Sequence, residues 1–174
     1  MALIPILEVP DPRLREVALP VATIDDGVRG LLADMFETMY AARGIGLAAT
    51  QLGIRQRVVV IDLQEDEDEE GQPQRRPQVF INPELVELSD ERATYNEGCL
   101  SIPDQYGDVE RPARALVRWQ DGDGTAHEQW TEGLLSTCIQ HEVDHLNGVL
   151  FIDHLSRLKR DMILKKLAKA RKAA

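Results

Sequence analysis

His141-Glu142-Val143-Asp144-His145 puts two imidazoles and a carboxylate into one short run. On a helix, residues four apart lie about 40° apart on one face, so both rings can grip a single divalent ion while Glu142 stands beside it as a general base. That is two ligands and a base for metal-assisted hydrolysis. A catalytic site wants a third protein ligand and an open position. A metzincin would place a third histidine six residues after His145, where this chain has Phe151. A ligand glutamate after the motif is also missing, because the only later acids are Asp144, Asp153 and Asp161. His154 lies past the helix stop expected at Asn147-Gly148. The third ligand is therefore expected upstream.

Two cysteines compete for that role. In Glu97-Gly98-Cys99-Leu100-Ser101 the thiol sits beside a glycine in what reads as a short loop, where it could approach an ion without crowding. Cys138 lies three residues before His141 on the same helical face, one turn away, and would share surface that the imidazoles already cover. Further upstream, Gly44-Ile45-Gly46-Leu47-Ala48-Ala49-Thr50-Gln51 loosely matches a dinucleotide fingerprint. Such a loop must follow a strand and open a helix, whereas this one follows a helix and precedes a strand, which sets that reading aside.

Taken together and in this order, Gly44 to Gln51, Glu97 to Ser101 and Gln140 to His145 resemble the three motifs of the peptide deformylases, bacterial type. The resemblance extends through the linking segments from about Val9 to Lys159. It implies that Cys99, His141 and His145 hold the metal, with iron(II) as the expected ion and zinc, nickel or cobalt as substitutes. It also implies a reaction. Glu142 takes a proton from water, the formyl carbon of an N-formylmethionyl nascent peptide is attacked, and the Gln51 amide and Leu100 backbone N–H meet the oxyanion. Glu142 then passes its proton to the departing amine and formate is released. Two imidazoles and one thiolate leave a net charge of about +1 at the ion, so water is activated less than at an all-histidine site and the base must compensate.

Gly44 and Gly46 would let substrate backbone approach, and Ile45, Leu134, Cys138 and Ile139 are candidate walls for the methionine side chain. Arg111, before Pro112, is expected to pair with Glu97 and brace the Cys99 loop. Two positions depart from the type pattern. Asn96 precedes Glu97 where a second acid is common, and Tyr106-Gly107 replaces a stretch where some relatives carry an arginine. Both bear on peptide preference rather than on catalysis. His127 and His154 read as structural or exposed. Rival functions are a metallopeptidase cutting internal bonds, disfavoured by the missing downstream ligand, and a catalytically silent module that binds ribosomes, disfavoured by intact Glu142 and Gln51.

The elements that must position these residues follow from periodicity. Val28, Leu31, Leu32, Met35, Phe36 and Met39 predict an amphipathic helix over about 26–42, capped by Asp25 or Asp26. Val58 to Ile61 and Val79 to Asn82 read as buried strands flanking the acidic run Glu65 to Glu70, which repels itself and must be a solvated hairpin loop. A second hairpin is expected over 115–119 and 125–130, then a helix over 132–146 and a last one from about Ser156 toward Ala170. Helix, strands and then helices predict an α+β fold with antiparallel strands wrapped around the helix that carries His141 and His145, and a C-terminal helix.

At 174 residues one catalytic domain over 1–174 is expected, and 43% hydrophobic residues supply its core despite only 5% aromatics. Two cysteines without a secretory leader point to a reducing compartment, and the absence of a long apolar run points away from the membrane. The expectation is a cytoplasmic monomer. Residues 155–174 carry eight Lys/Arg against one Asp, +7, while residues 1–154 carry 12 basic and 29 acidic side chains, −17. A solvated helix would explain such a tail, and so would a ribosome, whose phosphates attract a basic helix.

Overall fold

The computed structural model describes residues 2–173, so Met1 and Ala174, the two ends of the expected domain, lie outside the described residues. Helix α1 (Asp26–Ala41) starts where the Asp25 side chain accepts the Val28 N–H at 3.0 Å, and it turns Val28, Leu32, Met35 and Met39 inward. At its end Arg43 adopts a left-handed φ of 59°, and Gly44 N–H bonds back to Met39 O, which sends the chain into β1 (Gly46–Ala48). A 3-10 turn, Ala49–Leu52, follows.

Strands β2 (Val58–Ile61), β3 (Gln78–Leu88), β6 (Ala115–Gln120) and β7 (Ala126–Thr131) complete an antiparallel sheet ordered β1-β2-β3-β6-β7. β2 is buried on both faces, which is why Val58-Val59-Val60-Ile61 is continuously apolar. Val58 and Val60 pack in one core with Met35 and Met39 of α1. Val59 and Ile61 pack in another with Ile139, Val143 and Leu146 of α2 (Gly133–Leu146). The sheet is thus a layer between α1 and α2.

A separate hairpin, β4 (Arg92–Cys99) with β5 (Ile102–Pro112), forms the two-stranded sheet. Its Ile102 and Val109 join Leu150, then Phe151 and Ile152 of the 3-10 turn Phe151–His154, and Ile163 and Leu167 of α3 (Arg157–Ala173) in a third core. The expected α+β arrangement, strands around α2 and a C-terminal helix, is the one observed. The expected loop around Cys99 is a correction: Glu97, Gly98 and Cys99 end strand β4, and only Leu100-Ser101 form the turn. Glu65 to Glu70 are all exposed in the connection between β2 and β3.

Candidate active site and metal centre

α2 presents four chemical side chains at different angles. His141 and His145 share a face, Glu142 projects about 100° to one side, and Asp144 about 60° to the other. The two Nε2 atoms lie 3.2 Å apart, and Cys99 Sγ lies 3.3 Å from His145 Nε2. These three donor atoms are within 4.8 Å of one another and form a group that could hold a metal ion. An ion bonded at the usual ~2.05 Å to nitrogen and ~2.3 Å to sulfur in a tetrahedron would space them about 3.4 and 3.5 Å apart, close to what is seen. Cys138, the other candidate thiol, is not in the group.

The polar surroundings fit the same use. His141 Nδ1 donates to Glu97 Oε1 at 2.8 Å, which turns its other ring nitrogen, Nε2, toward the cluster. Arg111 Nε and Nη2 donate to both Glu97 oxygens at 2.8 and 3.0 Å, which is the expected brace. Burial would raise the Glu97 carboxyl, but the hydrogen bonds from His141 and Arg111 outweigh it and hold it below the usual range. Burial, helped by the fields of His141 and Arg111, pushes the His145 imidazole well down toward its neutral, ligating form.

Glu142 is buried and its Oε2 has no partner among the described residues. Burial pushes its carboxyl up to about 7, a range suited to exchanging protons near neutrality. Gln51 is 1% exposed. Its Oε1 accepts the Ala48 N–H at 3.0 Å, and its Nε2 donates to Ser101 Oγ at 3.0 Å and faces Cys99 Sγ at 3.5 Å, so the amide donor is aimed at the cluster.

A cavity of about 750 Å³ opens over these groups. Gly44, Ile45, Gly46, Gln51, Cys99, Leu100, Leu134, Cys138, His141 and Glu142 line it, while His145 sits behind them. A Cβ on Gly46 would lie 2.9 Å from both Cys138 Sγ and Glu142 Oε1, so a larger residue there would push one or both of these side chains out of place. Ile139 is a correction. It points a full side away from the cavity into the core with Val59 and Phe80, because its angle on α2 is that of the sheet-facing side. Sequence reasoning missed Arg43, Tyr95, Pro103, Asp104 and Thr137 as lining; all but Arg43 and Thr137 belong to the β4–β5 hairpin, which has little apolar alternation to reveal it. His127 bonds Asp121 at 2.7 Å and stacks on Trp119, away from the cavity.

Comparison with known proteins gives one family. The model described as polypeptide deformylase matches residues 3–161. The chain is 64% identical to a peptide deformylase of Rhizorhabdus wittichii, covering 99% of this chain and 98% of that one, and 62% identical to one of Zymomonas mobilis, covering 99% and 97%. Among solved structures it resembles a peptide deformylase from Legionella pneumophila with a TM-score of 0.89 at 44% identity, covering 99% and 97%. It also resembles one from Synechococcus elongatus in complex with actinonin, with a TM-score of 0.87 at 43% identity, covering 95% and 88%.

Proposed function

The chain belongs to the polypeptide deformylase family, and on that premise we propose how its residues divide the work. It is a hydrolase that removes the formyl group from the N-terminal N-formylmethionine of newly synthesised polypeptides and releases formate. The observation that carries the assignment of roles is the convergence of Cys99, His141 and His145 beside the buried Glu142 carboxyl, whose Oε2 has no partner among the described residues, where the cavity reaches them.

Cys99 Sγ and the Nε2 atoms of His141 and His145 are the ligands of one divalent ion, with Glu97 and Arg111 fixing the His141 ring. When bound, such an ion supplies Lewis acidity, lowering the pKa of water and polarising the formyl oxygen. Glu142 takes the proton of the attacking water and returns it to the departing amine. The Gln51 amide and the Leu100 N–H face the developing oxyanion, each donor being worth ~10²–10³ in rate. Gly44, Ile45 and Gly46 accept the peptide backbone, and Ile45, Leu134 and Cys138 form the wall for the methionine side chain.

Iron(II) is the ion we assign, with zinc, nickel or cobalt as substitutes. Iron is low in the Irving–Williams order, so purification in ordinary buffers should exchange it, and air should oxidise its thiolate ligand. Residues 1–174 are read as one catalytic domain acting as a cytoplasmic monomer; among the described residues no helix is long and apolar enough to cross a membrane. The basic helix α3 is assigned as a ribosome contact.

The test is formate release from formyl-Met-Ala by anaerobically prepared protein, set beside Glu142→Ala. The variant should keep its metal and lose nearly all turnover. Turnover within tenfold of wild type would remove Glu142 from the mechanism.

A further inference from the structure

A line of charged and polar side chains joins the surface to the rear nitrogen of His141. Behind the His141–Glu97 and Glu97–Arg111 bonds, the remaining arm of Arg111, Nη1, donates to Asp144 Oδ2 at 2.8 Å. That same oxygen lies 2.9 Å from His154 Nε2. Arg111 and Glu97 are 5% and 6% exposed, Asp144 is 24% exposed and His154 35%, so the inner pair is buried and the outer pair reaches solvent.

The outer link matters because the inner ones depend on it. Arg111 is a buried cation shared between two carboxylates, and a buried charge that loses a partner is costly and shifts toward whatever can replace it. Asp144 is the partner free to leave, since its side chain reaches solvent. His154, at the end of the 3-10 turn Phe151–His154, is a second partner on the same Asp144 oxygen that Arg111 holds, and this second bond resists that movement. An Asp144 held in place keeps Arg111 square on Glu97, and Glu97 square on His141 Nδ1.

We propose that His154 is a positioning residue for the metal centre, acting through Asp144, Arg111 and Glu97 on the orientation of His141 and so on how firmly the ion is held. The inference rests on the reading that His141 is a ligand. Removing a direct outer partner of a ligand typically costs ~10–100-fold in metal affinity, and His154 is three links further out, so an effect of about threefold to tenfold is expected.

The experiment uses the full chain loaded anaerobically with Co(II). His154→Phe and His154→Ala both remove the donor, the second without any risk of overpacking the turn, and His154→Gln keeps an amide donor. The donor-less variants should lose cobalt to a chelator about threefold to tenfold faster and shift the thiolate-to-cobalt absorption, while His154→Gln returns both toward wild type. In a double-mutant cycle, adding His154→Phe to Glu97→Gln should add less than twofold, because both act on one path. Cobalt loss and absorption at wild-type values in both donor-less variants, with Glu97→Gln still fast, would overturn the inference alone. Equal effects of all three substitutions at His154 would also overturn it, showing a brace for the turn rather than a path to the metal. Unchanged cobalt binding in Cys99→Ala and His141→Ala would instead overturn the site reading beneath it.

Discussion

Cys99 and Cys138 show how place, not residue type, divides two thiols near the same pair of imidazoles. Cys99 faces His145 Nε2 and Gln51 Nε2, groups that can partner a thiolate. Cys138 is buried beside Gly46 and Glu142, and burial together with the Glu142 charge pushes its thiol well above the ordinary value. Cys99→Ala should therefore abolish tight metal binding, whereas Cys138→Ala should leave elemental analysis near one ion per chain and change at most peptide affinity or stability. The reverse pattern would mean that the ligand thiol is the one on α2. Glu142 gives a second residue-scale prediction. In metal-free protein its carboxyl is raised from 4.5 to about 7, so between those values the folded chain holds a proton that the unfolded chain does not. Stability conferred by that proton is full below about 4.5 and is lost as pH rises through about 7. Metal-free Glu142→Gln, which cannot ionise, should then melt higher than wild type at pH 8, by on the order of 2 kcal/mol, and match it at pH 5. An equal gap at both pH values would show that ionisation of Glu142 is not what separates them.

Helix α2 can hold its ligands in register only if its end is fixed, and Gly148 does that. Its φ is 75°, its carbonyl accepts from Arg15 Nη1 at 3.1 Å, and a Cβ on it would lie 2.5 Å from Arg15 O. The obstacle is backbone, which cannot swing aside, so Gly148→Ala should cost about 2–4 kcal/mol in a denaturant melt. A loss under about 1 kcal/mol would mean that the N-terminal segment yields. That helix stop was legible in Asn147-Gly148, as were α1 from its 3.6-residue apolar period and β2 and β3 from short apolar runs on either side of the acidic segment, with α2, α3 and the β6–β7 hairpin set off by the turn residues between them. The β4–β5 hairpin was not. Arg92-Ala93-Thr94-Tyr95-Asn96 and Asp104 to Glu110 have few apolar positions, since one face looks into solvent or the cavity and part of the other is filled by Glu97 and Arg111, whose burial depends on each other. Strand β3 likewise runs on past Asn82 through Pro83, a residue that argues against a strand, because the pairing with β6 shifts register there and spares the missing N–H. For the site, spacing alone pointed to the pair His141 and His145 with Glu142, and the resemblance of the three motifs pointed to Cys99 and Gln51, which the fold brings beside them. Ile139 shows the limit of such reading, since its neighbours in sequence line the cavity while its own angle on the helix turns it into the core.

At the scale of the molecule the charge is divided, −17 over residues 1–154 and +7 over 155–174. α3 is more than a charged tail, because Ile163 and Leu167 are buried in the core with Ile102 and Phe151, and Arg171 Nη1 donates to Val9 O at 3.1 Å. Cutting the chain after Leu164 would remove Leu167 and Arg171 along with the charges, so a loss of ribosome binding could reflect undocking rather than electrostatics. Lys165, Lys166, Lys169 and Lys172 are exposed and not involved in that docking. Changing these four to Gln lowers the tail from +7 to +3 and leaves the helix seated, since Gln is nearly as good a helix former as Lys. If the basic face contacts ribosomal RNA, each lost phosphate contact removes ~0.7–0.9 from the slope of log affinity against log salt, and the four together should flatten it by up to about 3. Binding at low salt should weaken accordingly. Turnover of formyl-Met-Ala should stay within twofold, because none of the four lines the cavity. A variant that binds ribosomes with the wild-type salt slope would leave α3 as a docked, solvated helix, with its charges serving only to balance an acidic body.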